Sequence, residues 1–194
     1  GMAVFSIIKL SELEGAKRID AELYSTEIVA YKKRLQNYPK LKSLIEIIFH
    51  PKEIQRIYSE TGFHFVLAQN VKNILMNFEE KAYISLDRAV LIQDNILRDE
   101  DCLIVRSGAN YGDSSVYTTL DPKPAYASAD VIVIRPKYIP GEFLTVFFNT
   151  KVGRLLLKNL GYGAGQPHIR PQEIKHLPIF IPQAEVVKEI TNSV

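Results

Sequence analysis

Cysteine is almost missing from this chain: Cys102 is the single one in 194 residues. One thiol excludes an intramolecular disulfide and a thiolate zinc site, and an intracellular, cytoplasmic protein is the expectation. No apolar run approaches the roughly 18 to 20 residues of a membrane span, and the opening residues carry no signal-peptide pattern. An excess of one sign of charge is also lacking, with a formal net of +2, so total charge does not by itself imply a polyanionic partner. There is no internal repeat and no low-complexity segment.

Catalytic signatures are lacking as well. No Gly-x-Gly-x-x-Gly follows a strand, and there is no Walker A loop. The stretch Gly161-Tyr162-Gly163-Ala164-Gly165 is glycine-rich, but it follows a helical pattern and has the wrong order to cradle phosphate. His50, His64, His168 and His176 lack the i, i+4 spacing of a helical zinc pair. Asp121-Pro122-Lys123 resembles the opening of a metal-nuclease core, yet the acid-x-Lys that should follow is absent. Ser107 and Ser128 lack a histidine base in their sequence context. Neither a methyl-donor glycine loop nor an Asn/Asp-Pro-Pro-Tyr/Phe tetrapeptide is present. The expectation is a chain with no metal, no cofactor and no catalysis of its own.

What is present fits one globular domain: 46% hydrophobic and 24% charged residues can build and solubilise a core. Charge is segregated. Residues 29–44 hold five Lys/Arg and no acid, residues 137–176 six Lys/Arg and two Glu, and residues 77–101 seven acids and three bases. Solvated helix faces account for such runs, and so does a basic binding face. Strands are expected at Phe5–Leu10, Phe63–Ala68, Cys102–Val105, Val116–Thr119 and Val131–Ile134, with a short apolar segment at Leu44–Phe49. Helices are expected from Ala21 to about Gln36 with Asp20 as N-cap, over Glu142–Phe148 and Val152–Leu160, from Pro171, and from Ala184 onward. Residues 121–130 are turn-rich at their start. The fold class is α+β, with a central sheet region and peripheral helices.

Recognition chemistry concentrates on two loops. Arg106-Ser107-Gly108-Ala109-Asn110-Tyr111-Gly112-Asp113 follows a buried-strand candidate, and residues 161–170 carry Gln166, His168 and Arg170. Flat amide and guanidinium groups on loops between ordered elements suit the edges of DNA bases. Lysines and arginines nearby suit phosphates. Structural alternatives stand beside this: Gln166 as a helix cap, Tyr111 and Tyr126 as core edges, Arg154 paired with Glu142, His64 as a structural strand residue, and His168 as a turn residue.

The ordered set Arg18-Ile19-Asp20-Ala21-Glu22-Leu23-Tyr24, Ala68-Gln69-Asn70-Val71, Asp101 to Gly108, Phe148 to Arg154, Gly161 to Ile169 and Leu177-Pro178-Ile179 spans nearly the whole chain. It resembles the DNA specificity subunits of type I restriction-modification systems. The resemblance implies a target recognition domain over residues 1–181 that reads half of a bipartite site in double-stranded DNA, and the start of a truncated spacer helix over residues 182–194. It implies Ser107, Asn110, Tyr111, Lys123, Tyr126, Lys151, Arg154, Tyr162, Gln166, His168 and Arg170 as DNA-contacting candidates. Val186, Val187 and Ile190 form a candidate helix-docking stripe. The modification and restriction subunits are the implied partners, with the methyl donor, ATP and Mg used by them, and self-association through the last helix is a further expectation. One departure concerns that helix: the family usually reads Pro-Leu-Pro followed by a Gln-x-x-Ile-like start, whereas Ile181-Pro182 here leads to Lys188-Glu189-Ile190. Alternatives are the recognition-domain fragment of a fused restriction-methyltransferase and a protein-binding module with no nucleic-acid role.

Overall fold

A computed structural model describes residues 26–119, 121–161, 166–182 and 184–194. The expected strand at Phe5–Leu10, the Asp20 cap, the Arg18–Tyr24 segment, Tyr162 and the side chains of Val186, Val187 and Ile190 lie outside the described residues. Six helices are described: α1 (Thr26–Leu35), α2 (Leu86–Leu91), α3 (Gly141–Asn149), α4 (Lys151–Gly161), α5 (Pro171–Ile174) and α6 (Ala184–Ser193). The strands are β1 (Ile45–Phe49), β2 (Phe63–Val66), β3 (Ile74–Leu75), β4 (Ala82–Ile84), β5 (Cys102–Val105), β6 (Ser114–Val116), β7 (Ala125–Ala127) and β8 (Val131–Pro136). They form a five-stranded sheet in the order β1-β8-β5-β6-β3 and a three-stranded sheet in the order β4-β2-β7. The expected α+β class with a central sheet region is what the chain adopts.

Burial on both faces explains why β5 and β8 read as continuous apolar runs rather than alternating ones. Cys102 and Ile104, with Ile132 and Ile134, join Leu144, Phe148, Leu156 and Leu157 of α3 and α4 in one core. Leu103, Val105, Val131 and Val133 point the other way and pack with Val66, Ala125 and Ala127. Beyond the three-stranded sheet, Phe65, Ile84 and Tyr126 meet Ala89 and Ile92 around α2. Each fully buried aliphatic side chain contributes about 1.5–3 kcal/mol.

Thr150 joins α3 and α4. Its hydroxyl donates to the Phe147 carbonyl and accepts from the Gly153 amide at 3.1 Å, so one residue closes α3 and caps α4. Gly153 is required there, because a Cβ would fall on the Phe147 carbonyl.

Several elements differ from expectation. β7 lies in the segment 121–130, after its turn-rich start and where no strand is expected, and pairs in parallel with β2. β6 starts at Ser114 and ends at Val116; at Tyr117 the ladder becomes irregular, because its amide bonds the Asp101 carbonyl at 2.8 Å while its own carbonyl accepts from Glu100 N at 3.0 Å. The acidic middle of the chain, not assigned any element from sequence, holds β4 and α2.

Antiparallel pairing of β5 with β6 and β8, and of β8 with β1, gives the large sheet two distinct ends. At one, the Arg106 end, β1 and β5 exit while β6 and β8 enter. His50, the loop 106–113 and residues 128–130 gather there. The Asp101 end collects residues 98–101, 117–119 and 135–138. The small sheet follows the same direction: Ser128 N bonds Val66 O at 2.9 Å near the Arg106 end, and Leu97 N bonds Ala125 O at 2.9 Å near the other.

Candidate nucleic-acid interface

At the Arg106 end the two polar loops singled out from sequence are joined. Ser107 and His168 form an antiparallel bridge, and Ile169 N donates to Arg106 O at 2.9 Å. Arg106 Nη1 meets His168 Nδ1 at 3.0 Å, while its Nε donates to Ala129 O at 3.2 Å. Arg106 is the donor of both bonds, so His168 accepts through Nδ1. Ile169 is fully buried, whereas Gln166, His168 and Arg170 are exposed around it. The apolar residue pins the strand-like segment, and its polar neighbours face solvent.

The loop 106–113 is built from tight turns. Tyr111 N bonds Gly108 O at 3.2 Å, Asp113 N bonds Asn110 O at 3.1 Å, and Gly112 N bonds Val105 O at 2.9 Å. Gly112 has φ +89, a conformation that costs a residue with a Cβ far more than glycine. Asn110 is exposed at the loop tip and Ser107 is half-buried. Tyr111 leans on α4: its hydroxyl donates to Lys158 O at 3.0 Å, Lys158 Nζ donates back to Tyr111 O, and that ammonium sits 4.0 Å from the ring centroid. Tyr111 thereby holds the loop against the helix.

Arginines pair with three acids of this end. Arg56 grips Asp130 at 2.7 and 3.1 Å and also bonds Glu53. Burial pushes the Asp130 carboxyl up, but the Arg56 guanidinium outweighs it and holds the group below its ordinary value. Arg154 lies 3.5 Å from Asp113 and bonds Asn73 Oδ1 at 2.6 Å and Asn149 Oδ1 at 3.0 Å. It therefore pairs with Asp113, not with Glu142. His50 Nε2 shares the Ala129 carbonyl with Arg106, at 2.9 Å.

The remaining candidates are spread more widely. Lys151 is exposed on the helical side and pairs with Glu27 at 2.6 Å. Lys123 is exposed near the Asp101 end, beside a small cleft that His64, Phe78 and Tyr117 also line. Tyr126 is only 9% exposed and stands edge-on to Phe63 at 5.8 Å, as the core-edge alternative describes. His64 sits half-buried on β2 with its ring 5.0 Å from Phe78, and burial pushes its imidazole down to about 4. Sequence reasoning passed over Arg106, Arg56 and His50. Arg106 directly follows a buried apolar run and was detectable on that ground. Arg56 reaches Asp130 across 74 positions, and no local pattern announces such a pair.

Among the described residues no group of three or more His, Cys, Asp or Glu is placed to hold a metal. No described helix is long and apolar enough to cross a membrane.

The family model described as Type I restriction modification DNA specificity domain matches residues 40–192. No curated protein matches the chain. A structure solved for complex assembly and conformational transition of the type I R-M system is 14% identical, with a TM-score of 0.59 over 88% of this chain and 43% of that one. The S subunit of a type I restriction-modification system from M. genitalium is 13% identical, with a TM-score of 0.50 over 81% of this chain and 37% of that one. The type IIG restriction endonuclease BpuSI is 6% identical, with a TM-score of 0.63 over 90% of this chain and 28% of that one. At these identities the likeness is one of fold, and the chain spans less than half the length of each.

Proposed function

This chain belongs to the type I restriction modification DNA specificity domain family, and from that premise we propose that its Arg106 end reads one half of a bipartite site in double-stranded DNA. The observation that carries the reading is the joining of the two polar loops by the Ser107–His168 bridge and the Arg106–His168 bond. Those contacts put Ser107, Asn110, Gln166, His168 and Arg170 at one end of a rigid sheet. Side chains that read base edges need such support, because a bidentate amide or guanidinium contact discriminates only when its direction is held. Arg154 and Lys151 act on phosphates, and Tyr162 belongs to the same loop by sequence. Lys123 lies toward the far end and drops out of the reading set.

Catalysis resides on other subunits in this reading. The helix α6 begins the spacer on which the modification and restriction subunits dock, with Val186, Val187 and Ile190 as the docking stripe or as the seam of a self-paired form. The methyl donor, ATP and Mg belong to those partners. A second reading, the recognition domain of a fused restriction-methyltransferase, draws on the TM-score of 0.63 to a type IIG endonuclease. It keeps the same DNA face.

Binding to specific and scrambled duplexes over a range of salt tests the proposal. Gln166→Ala and Asn110→Ala should each weaken specific binding by about 1–3 kcal/mol and relax one base pair. Lys151→Ala or Arg154→Ala should weaken all duplexes and flatten the salt dependence. A chain that binds every duplex alike would overturn sequence reading.

A further inference from the structure

A third loop at the Arg106 end begins with the Ala68-Gln69-Asn70-Val71 segment that shares in the family resemblance, but none of the DNA-contact candidates lies in it. Residues 68–75 run from a single 3-10 turn (Ala68–Asn70) into β3. Asn70 is 1% exposed and holds the loop from inside. Its Oδ1 accepts from Leu67 N at 3.0 Å, and its Nδ2 donates to Asn77 O at 2.9 Å and Glu80 O at 2.8 Å. Ser115 of β6 clamps the other side: its hydroxyl accepts from Lys72 N at 2.9 Å and donates to Lys72 O at 2.5 Å. Arg154 ties Asn73 to Asp113 of the neighbouring loop, and Ala68 N approaches Asp130 Oδ2 at 3.5 Å.

Ile74 is held at φ +71. A β-branched residue there is a steric outlier that persists only when its surroundings over-determine it, and such outliers concentrate at functional sites. Gln69, Lys72, Asn73 and Leu75 are the exposed residues of the loop, and Arg154 holds Asn73; Gln69 and Lys72 are the two that face a cleft. They line this cleft, of about 170 Å³, with Asn77, Glu79 and Glu80. The two carboxylates repel a phosphate but accept from a base amino group, so the cleft suits base edges, and Lys72 is left to grip the backbone.

We infer that residues 68–75 form a third DNA-reading loop, with Gln69 contacting a base edge, Lys72 a phosphate, and Asn70 acting as the positioning residue. The inference rests on the reading of the Arg106 end as a DNA interface. Its test selects from a randomised duplex pool with the full chain and with Gln69→Ala, Lys72→Ala and Asn70→Asp, each checked for folding by circular dichroism. Gln69→Ala should lose about tenfold of the preference at one base pair, a pair distinct from those relaxed by Gln166→Ala and Asn110→Ala. Lys72→Ala should weaken every duplex and lower the salt slope by about one counterion. Asn70→Asp should relax the same base pair as Gln69→Ala, a readout that loss of folding alone does not move. Unchanged preference at every pair in folded Gln69→Ala, with Gln166→Ala still relaxed, overturns the third loop and leaves the DNA interface standing. No preference in the unaltered chain overturns both.

Discussion

The two ends of the five-stranded sheet each hold an aspartate gripped by an arginine, and the pairs behave differently. Asp130 at the Arg106 end is half-exposed, and Arg56 keeps its carboxyl below the ordinary value. Asp101 at the opposite end has no exposure; burial raises its carboxyl despite the bonds from Arg135 at 3.0 and 2.8 Å. The first pair braces an exposed loop end. The second is an interior polar knot that fixes where β5 begins. Neighbours sharpen the contrast. Asp113, Asp130 and Glu53 at the Arg106 end each have an arginine partner. At the Asp101 end, burial and then the repulsion of Glu142 raise the Glu100 carboxyl, with Asp99 adding to it. An end that crowds carboxylates repels DNA, and the guanidiniums on Asp113, Asp130 and Glu53 reduce that repulsion at the Arg106 end.

The largest effect should come from the interior knot. Arg135→Leu leaves Asp101 buried without its partner and should cost about 3–5 kcal/mol of stability, measured by denaturant unfolding. Base preference in the fraction that folds should be unchanged, and a shift in preference would break the division between the ends. Next in size, Gln166→Ala should lower specific binding by about 1–3 kcal/mol while leaving the unfolding midpoint in place, since its side chain is exposed.

Strain offers a smaller test. Ile74 and Glu100 are the two non-glycine residues with positive φ among those described, both at 71°. Glu100→Gly should stabilise by about 1 kcal/mol, because glycine accepts that backbone and the repulsion with Glu142 goes. At Ile74, glycine should be more stable than alanine, the reverse of the usual order in a strand. Equal or inverted melting temperatures would remove the strain from the description of the third loop.

Legibility from sequence follows the same geography. β5, β8, α3 and α4 were readable because their side chains bury against sheets and helices on known periods. β7 was hidden by the prolines at 122 and 124 and by the short Ala125-Tyr126-Ala127 pattern, in which tyrosine looks like a surface residue. In the fold both faces of that strand are covered, so Tyr126 enters the core. The loops 106–113 and 166–170 were legible from their amides and glycines, while the bond that joins them was not, since Arg106 and His168 stand 62 positions apart. The role of Ser115 as a clamp on Lys72 has the same cause: a serine in a strand carries no local mark of a partner 43 residues away.

The remaining effects are in pH. Asp130, lowered on balance, contributes stability that is present above its unfolded value and lost as pH falls through the folded one. Asp130→Asn should therefore flatten the acid limb of the stability curve. His64 works over a higher window: an imidazole pushed from 6.5 down to about 4 leaves the unfolded chain binding the extra proton, so stability declines as pH falls from 6.5 toward 4. His64→Phe should remove that decline, and a slope that survives the change would assign it to another group.

Amide hydrogen exchange of the chain with and without its selected duplex tests the reading face most directly. Protection on DNA binding should appear at residues 106–113 and 166–170, extend to residues 68–73, and be absent at residues 98–101 and 117–119. Protection centred on the Asp101 end, with the Arg106 end unchanged, would contradict the account.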